Sequence, residues 1–215
     1  MLIRYYGHSL FTMETENGTL VAFDPFDSHV GYPMPSLKPD AVLMSHGHSD
    51  HGYRDLFPKA ETVIDAPGDY RLKNGVHVTG IPAFHDDAQG AQRGNNTLYK
   101  VQSDGLTVVH LGDLGHALDE AQLNAIGRAD ILFLPVGGHY TIDALLAKRV
   151  MEQISPKITI PMHYKTDVNA DWPIAALDAF TRYFDSIPKA MPILRVTKED
   201  IGCAAKVIVM ERARD

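Results

Sequence analysis

The sequence predicts an α/β protein built as a four-layer αββα sandwich, with two β-sheets face to face and helices outside. Three observations predict it. Short apolar runs of strand length, divided by turn signals, fill the first half of the chain. From residue 118 onward such runs alternate with helical patterns. No linker, repeat or low-complexity tract divides the 215 residues, so residues 1–215 are read as one domain whose sheets bury their apolar faces together.

Residues 2–6 and 10–14 have strand composition, Glu16-Asn17-Gly18 supplies a turn, and residues 19–23 complete a meander closed by Asp24-Pro25. Residues 28–39 contain Gly31, Pro33, Pro35 and Pro39 and read as an irregular loop. The apolar run 41–44 is a buried strand, and further strands are expected near 61–65 and 76–81. A glycine-rich polar loop at 86–96 precedes strands at 97–101 and 106–111. Residues 118–126 read as a helix, 131–136 as a buried strand, and 142–154 as a helix with Thr141 or Asp143 near its start. A strand at 157–162, a helix at 174–184 and closing strands at 193–196 and 206–210 complete the pattern.

Composition narrows the function. A hydrophobic fraction of 45% with 22% charged residues is that of an ordinary globular chain without disorder bias. The formal charge of −7 argues against extended nucleic acid as a partner but leaves room for a local anion pocket. Cys203 is the sole cysteine, which excludes an intrachain disulfide and a cysteine-based zinc site. No apolar run is long enough to cross a membrane and no signal-peptide core is visible, so a cytoplasmic protein without a membrane partner is expected.

The densest chemistry is His46-Gly47-His48-Ser49-Asp50-His51, which places four metal-ligand side chains on the loop leaving the strand at 41–44. In extended chain, residues two apart point the same way, so His46 and His48 can grip one ion. Asp50 and His51 are adjacent and diverge unless the chain turns there, as the flanking Gly47 and Gly52 allow; a turn would aim them at a second point. The spacing thus implies two metals. Eleven histidines make some clustering unsurprising, and an exposed polar loop would use the same residue types. The ordered placement directly behind an apolar run favours ligands.

Two shells need more donors than one loop carries. His85, Asp113 and His163 each follow an expected strand, Asp113 directly after Gly112. A lone histidine is usually a surface or satisfied core residue; three such placements fit one shared rim.

Taken in order, His46-x-His48-x-Asp50-His51, His85, Asp113 within Leu111-Gly112-Asp113, and His163 resemble the signature of the metallo-β-lactamase superfamily. Gly7-His8-Ser9, Asp24-Pro25-Phe26, the run from Pro135 to Thr141 and Ile160-Pro161-Met162-His163-Tyr164 are similar to its small branch of metal-dependent hydrolases related to L-ascorbate-6-phosphate lactonases. These motifs span residues 7–164, and the resemblance implies the αββα metallo-β-lactamase fold. It also implies that His46, His48 and His85 hold one metal, that Asp50, His51 and His163 hold the other, and that Asp113 bridges them. Many members of the branch have a serine after the third histidine; here Asp86 and Asp87 follow His85, leaving open whether an aspartate adds a ligand.

The expected cofactors are two divalent ions, zinc first, with manganese or iron as alternatives. The expected activity is hydrolysis of an ester, lactone, amide or phosphoester in a small-molecule substrate by a metal-bridging hydroxide, with Asp50 holding the nucleophile in line. Asp24 is expected to orient a ligand histidine or to end its strand in a turn. His8, His116 and His139 fall near the motifs, as substrate-facing, proton-relaying or plain loop residues, and His110 reads as packed. Arg93 and Lys165 are candidates for an anionic substrate group, against the commoner role of solvated loop charge. The alternatives are a non-catalytic metal-binding or sensing protein, or a phosphodiesterase or nuclease acting on short single strands. His48 stands where diiron relatives carry glutamate, and the extra regions of glyoxalase II and RNA-processing relatives are not evident. Related enzymes often self-associate, so a homo-oligomer is allowed.

Overall fold

The computed structural model describes residues 1–203 and 207–214. Two six-stranded sheets pack face to face. The first contains β1 (Leu2–Gly7), β2 (Leu10–Glu14), β3 (Leu20–Phe23), β4 (Ala41–Leu43) and β5 (Thr62–Ile64) side by side. The second contains β6 (Gly68–Arg71), β7 (His77–Phe84), β8 (Asn95–Ser103), β9 (Leu106–His110), β10 (Ile131–Pro135) and β11 (Ile158–Met162), again neighbour to neighbour. The helices α1 (Glu120–Ile126), α2 (Ala144–Ile154) and α3 (Asp178–Thr181) follow in the second half, and β12 (Leu194–Arg195) returns to pair with β1.

The period of two decides which residues meet. Ile3 and Tyr5 of β1, Phe11 and Met13 of β2, and Val21 and Phe23 of β3 enter the space between the sheets. Val78, Tyr99, Val101, Val108, Ile131 and Phe133 meet them from the other side, and Phe11 stacks on Phe133 at 4.1 Å. Residues of opposite parity, Leu98, Val109, Leu132 and Leu134, face out and bury Ala147, Val150 and Phe180 from the helices. Asp119 caps α1 in a capping box with Gln122, and the Asp143 carboxylate caps α2 by accepting from the Leu146 amide at 2.8 Å.

Four local departures from the sequence reading have physical causes. Among the described residues, no α-helix covers the first sheet; 3-10 turns at Ser28–Val30 and Arg54–Leu56 do so with Phe26, Tyr32 and Phe57, because the prolines of residues 28–39 prevent helix. Strand β6 lacks apolar alternation and forms through antiparallel pairing with β7, an edge contact no local pattern announces. Helix α3 is four residues long, because the backbone before it is taken up by Gly137, which accepts from the Ala175 amide at 2.7 Å, and by the Lys165–Ala176 bridge. Of the strand expected at 206–210, Lys206 lies outside the described residues, and Val207 and Met210 make only isolated bridges to Thr159 and Met191.

Strand direction explains where function can sit. Strands β1, β3 and β4 run parallel within the first sheet, as do β7, β9, β10 and β11 within the second. Their carboxyl ends therefore open on one edge of each sheet. His8, Asp24 and residues 45–51 leave the first edge; His85, Asp113 and His163 leave the second. The edges are tied together by the Thr97 amide donating to the Ser45 carbonyl (2.8 Å) and the His163 amide donating to the His8 carbonyl (3.0 Å).

Candidate metal centre

The loop after β4 makes the turn that Gly47 and Gly52 allow. The His48 carbonyl accepts from the amides of His51 (3.0 Å) and Gly52 (2.7 Å), which turns the chain at Asp50 and His51 while the His51 ring stays 4.5 Å from that of His46. Three groups of potential donor atoms result, each within 4.8 Å of one another: His46, His48 and His85; His8, Asp50, His51 and His163; and His46, His51 and Asp113, which overlaps the other two. Asp113 lies between the first two. Its Oδ1 is 3.1 Å from His51 Nε2, and its Oδ2 is 3.2 Å from both His85 Nε2 and His163 Nε2.

Buried polar groups fix these side chains. Asp24 accepts from His51 Nδ1 at 2.7 Å and from the amide and hydroxyl of Ser45, each at 2.7 Å. Asn96 receives the Asp113 amide at 3.0 Å and donates to the Leu111 carbonyl at 2.9 Å. Between these sits Gly112 at φ 52°, where any Cβ would collide with Asn96 and Ser45. His110, the packed residue of the sequence reading, donates to the Ser9 carbonyl, accepts from the Gly112 amide and stacks on Phe23. His8, Asp24 and His163 all hold left-handed backbone at φ 47–53°, strain of about 1–3 kcal/mol each that clusters at functional sites.

The electrostatics match a cation site. Burial alone would push the His51 imidazole down, but the carboxylates of Asp113, Asp50 and Asp24 prevail and raise it to about 10. Burial, then the neighbouring His51, lowers His46 to about 3; burial, then His163, lowers His8 to about 4. Burial opposes ionisation of Asp50 and Asp113, yet the imidazoles hold both carboxyls below the usual range. His46 Nε2, His163 Nε2 and Asp113 Oδ1 are buried and, among the described residues, without a hydrogen bond. Nitrogen and oxygen atoms this close but out of hydrogen-bond alignment could serve together as donors to a cation. The nitrogen and carboxylate set fits zinc, manganese or iron, so this His/Asp cluster could bind metal.

The centre opens into a cavity of about 490 Å³ with His48, Asp50, His85 and Asp113 on its wall. Arg93, Tyr140, Asp171, Trp172 and Pro173 complete the lining. Arg93 lies over the Tyr140 ring at 5.7 Å, and Trp172 meets His8 edge-on at 5.3 Å. Arg93 is held by Asp86, whose carboxylate accepts the amides of Ala88, Gly90, Gln92 and Arg93 at 2.7–3.0 Å. Asp86 thus organises a loop, and Asp87 is exposed. Lys165 does not line the cavity. His116 accepts from the Phe84 amide and donates to the Ala117 carbonyl, pinning the backbone beside His85, while His139 is exposed against Tyr140. Sequence reasoning missed Ser45, Asn96, Asp171 and Trp172. The chain's sole tryptophan, near the last motif histidine, was the available signal.

Comparison with known proteins identifies the family. The Beta-lactamase superfamily domain matches residues 2–163. A UPF0173 metal-dependent hydrolase of Thermoplasma acidophilum is 32% identical over 188 residues, covering 76% of this chain and 83% of the relative. A solved Thermotoga maritima structure, assigned to the zinc-dependent hydrolases of the metallo-beta-lactamase superfamily, superimposes with a TM-score of 0.82 at 38% identity over 97% of both chains. Igni18, a metallo hydrolase of Ignicoccus hospitalis, gives a TM-score of 0.64 at 25% identity, covering 99% of this chain and 96% of that one. The chain belongs to the metallo-β-lactamase superfamily and, within it, to the UPF0173 metal-dependent hydrolases.

Proposed function

We propose that residues 1–215 form one hydrolase domain that holds two divalent cations and cleaves an ester, lactone or phosphoester bond of a small anionic substrate. The observation that carries this reading is Asp113, one carboxylate reaching His51 through one oxygen and His85 and His163 through the other, at the wall of an open cavity. His46, His48 and His85 would hold one cation, Asp50, His51 and His163 the other, with Asp113 shared. Zinc suits these donors first, with manganese or iron as alternatives. Bound in this way, divalent ions supply a nucleophilic hydroxide at neutral pH, lowering the pKa of water from about 15.7 to about 7, and neutralise charge on the attacked group.

The chain's own residues supply position. Asp50 lines the cavity with its side chain one-quarter exposed, so its carboxylate can hold an attacking water in line. Asp24 keeps the His51 ring in one orientation. Arg93 faces the same space on a loop fixed by Asp86, which suits a phosphate or carboxylate on the substrate. Trp172 and Tyr140 offer apolar surface beside it. The lactone of a phosphorylated sugar acid is one member of this substrate class.

Metal analysis of the purified protein followed by turnover of phosphodiester, lactone and thioester substrates tests the proposal. Metal-dependent turnover of at least one class is expected. A metal-replete protein inert to all of them would favour a non-catalytic metal-binding role.

A further inference from the structure

We infer that His8 is an eighth protein donor to the metal centre, joining Asp50, His51 and His163 around the second cation. The inference rests on the two-cation reading above and extends its ligand set. His8 Nε2 lies 3.1 Å from His51 Nε2 and 3.2 Å from Asp50 Oδ2. Donors sharing a cation at about 2.0–2.2 Å are separated from one another by about 3–3.5 Å, which is the spacing found here. The contact with Asp50 alone would suit an outer hydrogen bond. The contact with His51 does not, because the same His8 nitrogen also faces the nitrogen through which His51 approaches Asp113.

The backbone is built to hold His8 in that place. The residue is fully buried and left-handed at φ 53°, matching His163 at φ 52°. Its carbonyl accepts both the His163 amide (3.0 Å) and the Tyr5 hydroxyl (3.1 Å), so the two histidines are clasped through the main chain. Their rings lie 4.3 Å apart, and Trp172 closes the cavity side of His8. His8 comes from the β1–β2 turn, more than thirty residues before the histidine-rich loop, and so escapes a reading based on that loop.

Cobalt(II) substitution tests the inference in wild-type protein. Each coordinated imidazole contributes one hyperfine-shifted exchangeable N–H proton signal. Six signals are expected, from His8, His46, His48, His51, His85 and His163. Five signals, with the ring of His8 unshifted, would overturn the inference and leave the two-cation reading intact. A wild-type protein that takes up no cobalt would overturn both. In parallel, His8→Gln keeps a hydrogen-bond donor near Asp50 but removes the imidazole. Its second cobalt equivalent should bind more than about 100-fold more weakly, beyond what losing an outer partner costs. Binding of both equivalents within about threefold of wild type would contradict the assignment; where the variant does not fold, the proton count decides.

Discussion

Asp24 and His51 meet at 2.7 Å, carboxylate to Nδ1, in a region closed to solvent, and the same carboxylate receives two donors from Ser45. The pair fixes the tautomer of His51, whose Nε2 then faces Asp113. Asp24→Asn should therefore weaken metal binding about 10–100-fold. Competition with a chromophoric chelator measures this, and unchanged affinity would mean that His51 needs no carboxylate behind it.

Removing metal should cost stability as well as activity. A cation present at 100 times its Kd contributes about 2.7 kcal/mol. For a chain of this size that is about 5–11 °C in Tm. Calorimetry with and without a chelator should show the drop, with recovery on adding zinc, manganese or iron(II). A Tm indifferent to chelation would speak against a cation joining these buried donors.

The two basic candidates should behave differently. Arg93 lines the cavity and Lys165 does not. Losing a charge-assisted contact of about 1.5–3 kcal/mol, Arg93→Ala should raise KM for anionic substrates about 10–150-fold. For Lys165→Ala, steady-state kinetics should give a change of less than about twofold. The reverse order would move the anion site from Arg93 to Lys165.

Gly112 allows the Asp113 turn to press against Asn96 and Ser45. Gly112→Ala combines a left-handed backbone with a steric collision and should destabilise by more than about 2 kcal/mol. Urea unfolding would reveal a relaxed neighbourhood if the loss were under about 0.5 kcal/mol.

The candidate donors were legible because each depends on a short-range fact, a histidine or aspartate just past an apolar strand. His85, Asp113 and His163 sit where such counting puts them, at the carboxyl ends of β7, β9 and β11. The short apolar runs of β1–β4 and β10 likewise carried the sandwich. What escaped depends on partners distant in sequence. Strand β6 exists through its pairing with β7, and the shortened α3 reflects backbone bonds to Gly137 and Lys165. The cavity rim brings Arg93, Tyr140 and Trp172 together from three separate loops. Asp86, which the sequence left as a candidate ligand, proved a loop anchor because four amides converge on it.

The origin of the candidate donors in two separate sheets has a mechanical consequence. His46, His48, Asp50 and His51 belong to one half of the chain, and Asp113 and His163 to the other. Any cation they share is a clasp between the halves, so prying the sheets apart and shedding the ion become a single event. Conditions that loosen the far ends of the sandwich should then hasten metal exchange at a centre they never touch.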